Sequence, residues 1–97
     1  MDDFYTISTF VLEKVAEFFE SSWNLADVDL LGGTLTVTLP HNQQYVIHTH
    51  GVTHQIWVAS PFTGAHHFHL QEGQWCCTRS GTRLQDLLIA ERNVHAP

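Results

Sequence analysis

Between residues 4 and 21 the apolar side chains Ile7, Val11, Val15 and Phe18, flanked by Phe10, Leu12 and Phe19, recur at spacings of three and four. That period predicts an amphipathic helix with a broad buried face. On its other side Asp2, Thr6, Thr9, Glu13, Glu17 and Glu20 fall in a stripe roughly 80° wide at about 100° per residue. The lower half of that stripe is purely acidic. Beyond Trp23 and Asn24 the period drops to two, the signature of half-buried strands. Residues 26–30 read as a first strand with Asp27 and Asp29 on one face, and Gly32-Gly33 as a tight turn. Residues 34–39 follow, with Leu35, Val37 and Leu39 opposite Thr34, Thr36 and Thr38.

After a turn at residues 40–42 come a third strand at 44–49, a connection at 50–53 and a fourth strand at 55–60, closed by Pro61 and Gly64. A fifth strand is predicted at 65–71, with Phe68 and Leu70 facing away from His67 and His69. Glu72-Gly73 is a hairpin signal, and residues 74–78 complete a meander. Thr82, with Gln85 three residues on, matches a capping box at the start of a second helix. In that helix Leu84, Leu87, Leu88 and Glu91 lie close to one face. Two amphipathic helices and a half-wet antiparallel sheet have one economical arrangement. The expected fold is an α+β two-layer sandwich, with both helices on one face of about six strands and the other face open. The predicted core is Leu35, Val37, Ile56, Val58, Phe68, Ile7, Val11, Val15, Leu84 and Leu88.

The fourth strand, Gln55-Ile56-Trp57-Val58-Ala59-Ser60, has unequal faces. If Ile56 and Val58 point into the core, Gln55 and Trp57 point to the open side. A large aromatic there is typical of a recognition surface. Its bland alternative is cover by a loop or by the chain's own tail.

A chain of 97 residues has room for one domain, residues 1–97, and one modest core. Hydrophobic content of 43% and charged content of 14% fit a globular fold, and no apolar run approaches the ~20 residues of a membrane span. Ten acidic against four basic residues, a formal charge of -6, disfavour nucleic acid and favour metal cations or basic protein patches as partners. The start Met1-Asp2-Asp3-Phe4 lacks the features of a secretory signal and of a mitochondrial presequence, so the expected location is the cytoplasm. Cys76 and Cys77 are adjacent, unlike a disulfide framework, and read as reduced thiols.

Gln55-Ile56-Trp57 followed by Ser60-Pro61 and Gly64 has Gly33-Thr34-Leu35-Thr36-Val37 upstream and Ser80-Gly81, Leu84 and Leu87-Leu88 downstream. Together these blocks resemble the frataxin family. With His54 preceding and no presequence, the chain is most similar to the bacterial CyaY-like branch, in register over about residues 10–91. The resemblance implies the same two-layer fold. It also implies a non-enzymatic, iron-binding regulator of iron–sulfur cluster assembly that docks on the cysteine desulfurase and scaffold complex, as iron donor or iron sensor. An acidic ridge on the first helix and first strand would bind ferrous or ferric iron weakly. Carried over residue by residue, the ridge is Glu13, Glu17, Glu20, Asp27 and Asp29. It is thinner than in relatives, because Ser21, Ser22 and Asn24 stand where acidic residues are frequent. The expected partner-binding residues are Gln55, Trp57, Glu13 and Glu17, on a monomer whose oligomerisation with iron is left open.

The residues themselves show no catalytic constellation. Gly32-Gly33 does not lead a strand into a helix, which excludes a phosphate-cradling loop. Cys76 and Cys77 point to opposite faces of a strand, so one belongs to the core, and Arg79 is the basic neighbour that keeps a thiol enzyme in view. A ferroxidase or iron-storage activity is the alternative reading, but it needs inward carboxylates on facing helices, and the first helix has none. His48 with His50, and His67 with His69, form pairs on one strand face. The two strands flank the Trp57 strand and lie about 9–10 Å apart, too far for four ligands on one zinc ion. Uncharged polar cover of a wet face is the plainer role, with His41 and His95 in loop and tail. Exposed carboxylates without a cage bind hard cations loosely.

Overall fold

The computed structural model describes residues 3–96, so Asp2 of the predicted acidic stripe lies outside the described residues. Helix α1 (Asp3–Ser22) buries Phe4, Ser8, Leu12, Val15, Ala16 and Phe19. This corrects the expected core at two positions, since Ile7 is 38% exposed and Val11 is only partly buried, while Val15 is buried as expected; Phe18 of the apolar face is likewise partly buried. Apolar residues occupy well over half of the helix circumference, so its own pattern leaves its rotation open. The sheet selects the sector carrying small Ser8 and Ala16, which lets the helix axis approach closely. Fully burying a side chain such as Leu12 or Phe19 is worth about 1.5–3 kcal/mol.

Six strands follow: β1 (Asp27–Leu31), β2 (Thr34–Thr38), β3 (Gln44–His50), β4 (Gln55–Ser60), β5 (Gly64–Gln71) and β6 (Gln74–Cys77). They pair antiparallel in the order β1-β2-β3-β4-β5-β6. Their ends differ from the expected ones by at most one residue, β4 matching at both ends, and a 3-10 turn (Pro40–Asn42) joins β2 to β3. At the β1–β2 turn Gly32 has φ +61, and a Cβ on Gly33 would stand 2.6 Å from Thr49 Oγ1, so both glycines answer a physical need.

Alternation along the strands sends Leu35, Val37, Tyr45, Ile47, Ile56, Val58, Phe68 and Cys77 into one core with α1. Helix α1 lies over β1, β2 and β3, and helix α2 (Leu84–His95) approaches β6 on the same face. The opposite sheet face carries neither helix, as the sequence pattern predicts.

Helix α2 departs from expectation at its start. Its N-cap is Arg83, without a side-chain cap, and the Thr82 hydroxyl instead accepts a hydrogen bond from Ser80 Oγ at 3.0 Å. The capping box fails because Thr82 is already committed: its carbonyl accepts the Cys77 amide at 2.8 Å, and Arg83 bridges to Cys76. At the other end Arg92 Nε donates to the Ser22 carbonyl at 3.1 Å. It thereby brings a cation to the C-terminus of α1, whose own last turn has none.

Midway along the same helix, Glu91 is 4% exposed and forms no ion pair among the described residues. Its Oε1 accepts hydrogen bonds from Tyr45 OH and Ser60 Oγ, both at 2.6 Å, and its Oε2 accepts from Thr63 Oγ1. Ser60 Oγ in turn accepts the amides of Phe62 at 3.0 Å and Thr63 at 3.2 Å, which fixes the turn after β4. Phe62 stacks on His95 with ring centroids 3.9 Å apart, so His95, read above as a tail residue, closes the helix end against this turn.

Candidate functional site: an acidic flank and an open sheet face

Residues of α1 divide into sectors. Phe10, Val11, Lys14 and Phe18 face a groove toward α2, Leu12, Ala16 and Phe19 face the sheet, and Glu13, Glu17 and Glu20 are exposed on the remaining flank. At about 100° per residue that flank lies away from α2, on the side of edge strand β1. Asp27 and Asp29 of β1 are exposed, and they pair with Thr38 and Thr36 on the open face while Val28 and Leu30 pack toward the core. The fold therefore gathers the five carboxylates at one edge of the molecule. It directs the helix and strand members to different faces of that edge.

Lys14 Nζ sits 3.7 Å from Glu17, an exposed i,i+3 contact of the weak kind. Among the described residues no three histidine, cysteine, aspartate or glutamate side chains come together as a ligand set for one ion. The donor chemistry of the flank suits a hard cation held by field and single contacts, with no preformed cage.

On the open face, the register lines up His48, Trp57 and His67 across β3, β4 and β5, and beside them His50, Gln55, His69 and Cys76. Trp57 is partly buried and stands between two imidazoles, stacked on His50 at 4.1 Å and on His67 at 4.3 Å, with His48 edge-on at 5.6 Å. Its Nε1 donates to Gln55 Oε1 at 2.7 Å, and His50 Nδ1 lies 2.8 Å from Thr53 Oγ1. Sequence reasoning placed Trp57 on this face but missed the sandwich, although His50 and His67 each stand opposite or diagonal to it. The indole is thus pre-set in one orientation. A docked surface would meet an ordered aromatic without the entropy cost of immobilising it.

Cys76 lies on the open face opposite His69, whereas Cys77 is in the core at 5% exposure. Burial by itself raises the Cys77 pKa. Hydrogen bonds from the Ser80 side chain and from the backbone of Ser80 and Arg79, with the Arg79 charge, outweigh it and hold the thiol below its ordinary value. Cys77 packs against the core on one side and against the exposed turn of Arg79 and Ser80 on the other.

The fold and these surfaces define a class: a two-layer α+β protein with helices on one side, an open aromatic-and-imidazole sheet face on the other, and an acidic flank at the α1–β1 edge. A family model for the frataxin-like domain matches residues 1–96. The iron–sulfur cluster assembly protein CyaY of Photobacterium profundum is 31% identical over 94 residues, covering 97% of this chain and 89% of that protein. The mitochondrial frataxin homolog of Saccharomyces cerevisiae is 37% identical over 82 residues, 84% of this chain, and this chain spans about half of that longer protein, 47%. Among solved structures, frataxin from Psychromonas ingrahamii superposes with a TM-score of 0.83 at 25% identity, covering 99% of this chain and 94% of that one. A trimeric yeast frataxin complexed with ferrous iron superposes with a TM-score of 0.74 at 31% identity, covering 97% and 85%. The chain belongs to the frataxin family.

Proposed function

We propose that this protein is a non-enzymatic, iron-binding regulator of iron–sulfur cluster assembly that docks on a cysteine desulfurase and scaffold complex. The observation that carries the reading is the family match across residues 1–96, in which one relative bears the name of a cluster assembly protein. Two surfaces support it. The acidic flank of Glu13, Glu17 and Glu20, with Asp27 and Asp29 at the same edge, supplies oxygen donors for weakly held iron and a field for a basic partner. The open face supplies Trp57 and Gln55 as anchor, already ordered by His50 and His67. A ferroxidase would need facing, inward carboxylates. Glu91 is the one buried carboxylate among the described residues, and its oxygens are taken up by three hydroxyls.

In this mechanism charge governs encounter and the indole governs lifetime, because exposed charges steer association while contributing modest affinity. A central aromatic anchor contributes about 2 kcal/mol or more. The test is association and dissociation of the full chain on an immobilised, purified desulfurase–scaffold complex. Glu13→Lys with Glu17→Lys is expected to slow association and flatten its salt dependence. Trp57→Ala is expected to raise the dissociation rate roughly thirtyfold at constant association rate. If the folded Trp57→Ala protein dissociates like the parent, the sheet face is not the docking surface. A complex that never forms with the parent chain removes the reading altogether.

A further inference from the structure

We propose that the groove between α1 and α2 is a binding site for a medium- or long-chain carboxylate. The alkyl tail would lie among Phe10, Phe18, Trp75 and Ile89, over a floor formed by the core residues Val15, Leu84 and Leu88, with the carboxylate between Lys14 and Arg83. This site is separate from the acidic flank and from the open face, and it stands or falls independently of the function proposed above. The groove has a volume of about 410 Å³, within the range of small-molecule clefts. Phe10 and Phe18 of α1 and Trp75 of β6 wall it, and Phe10 at 57% and Ile89 at 45% exposure leave apolar surface uncovered at its rim.

Charge selects the headgroup. The chain has four Lys and Arg residues against ten Asp and Glu, yet both Lys14 and Arg83 line the groove and no carboxylate does. Their partners Glu17, at 3.7 Å, and Asp86, at 3.4 Å, are exposed i,i+3 contacts of the kind worth little, so an incoming carboxylate can displace them. The first turn of α2, which has no side-chain cap and carries Asp86, opens at the same place. Backbone chemistry selects the tail. Two walls are helices whose interior amides and carbonyls are spent on their own bonds, and the third, edge strand β6, is tied on its outer side to the start of α2 by the Cys76–Arg83 bridge and the Cys77 amide to Thr82 carbonyl bond. Among the described residues Gln74, Gln85 and the Trp75 indole are the uncharged polar groups lining the groove. A buried peptide would leave its own N–H and C=O groups without partners, at a cost an alkyl chain does not incur.

The test is a titration of the full chain with dodecanoate below its micelle concentration, followed by calorimetry and by backbone amide NMR. One molecule per chain is expected, with shifts at residues 10–18 and 84–89. Lys14→Glu and Ile89→Glu, both at exposed positions that leave the core intact, are each expected to weaken binding by about tenfold. Dodecyltrimethylammonium is expected to bind at least about tenfold more weakly than dodecanoate. Absence of saturable dodecanoate binding overturns the proposal, as does equal binding of the cationic amphiphile. So does a blocked apolar peptide bearing one glutamate, or a second copy of the chain, occupying these residues in place of dodecanoate.

Discussion

Tyr45→Phe probes the polar knot that ties α2 to the sheet. Burial, first, and the hydrogen bond and charge of Glu91 raise the Tyr45 pKa well above the ordinary phenol value. Removing the hydroxyl deletes a 2.6 Å bond to a buried carboxylate and leaves that oxygen with Ser60 alone. Hydrogen bonds to charged groups are worth about 1.5–3 kcal/mol, so a loss of about 2 kcal/mol is expected at pH 7. An unfolding entropy of about 2.1 cal/mol/K per residue gives about 0.2 kcal/mol/K for this chain, and hence a Tm roughly 10 °C lower. The folded pKa lies above the unfolded one, so the Tyr45 contribution is complete below pH ~10 and is lost as pH rises through the folded value. Above pH ~10 the parent should lose about 1.4 kcal/mol per pH unit that Tyr45→Phe does not lose, so the gap between them closes within one to two units. Urea unfolding by circular dichroism from pH 7 to 11.5 measures both. A gap that stays constant across that range would refute the picture of a phenol held neutral against a buried carboxylate.

Titration with a diamagnetic trivalent cation should shift the amides of Glu13, Glu17, Glu20, Asp27 and Asp29, whereas shifts confined to Thr49, His50 and residues 66–69 would move the metal locus to the histidines. Thr82→Ala should change stability by less than ~0.5 kcal/mol, since Thr82 caps nothing; a loss near 1 kcal/mol or more would restore the capping box. Arg92→Ala removes the cation and donor at the end of α1 and should cost about 1–2 kcal/mol, with faster amide exchange at the last turn of α1 as its local signature. Trp57→Ala deletes two ring stacks and one hydrogen bond and should cost about 1–3 kcal/mol while leaving the far-ultraviolet spectrum folded.

By itself the sequence determined the strands, their alternation and the two-layer plan, because a period of two admits only two side-chain orientations and one face of each strand is plainly apolar. Leu35, Val37, Ile56, Val58 and Phe68 are buried as that pattern requires, and Trp57 stands on the face opposite them. The rotation of α1 was not legible. A helix with apolar residues on most of its circumference can turn any of several sectors to a sheet, and only contact with β1, β2 and β3 selects Leu12, Ala16 and Phe19 over Ile7 and Val11. What the helix leaves uncovered became the groove beside α2, which no local pattern announces. Glu91 was readable as a carboxylate on an apolar face, but its partners Tyr45, Ser60 and Thr63 lie 46, 31 and 28 residues away and meet it only when α2 docks. The five carboxylates likewise share an edge because α1 lies over β1, and they point to different faces because β1 alternates. The first of those facts belongs to the tertiary structure and the second to the sequence.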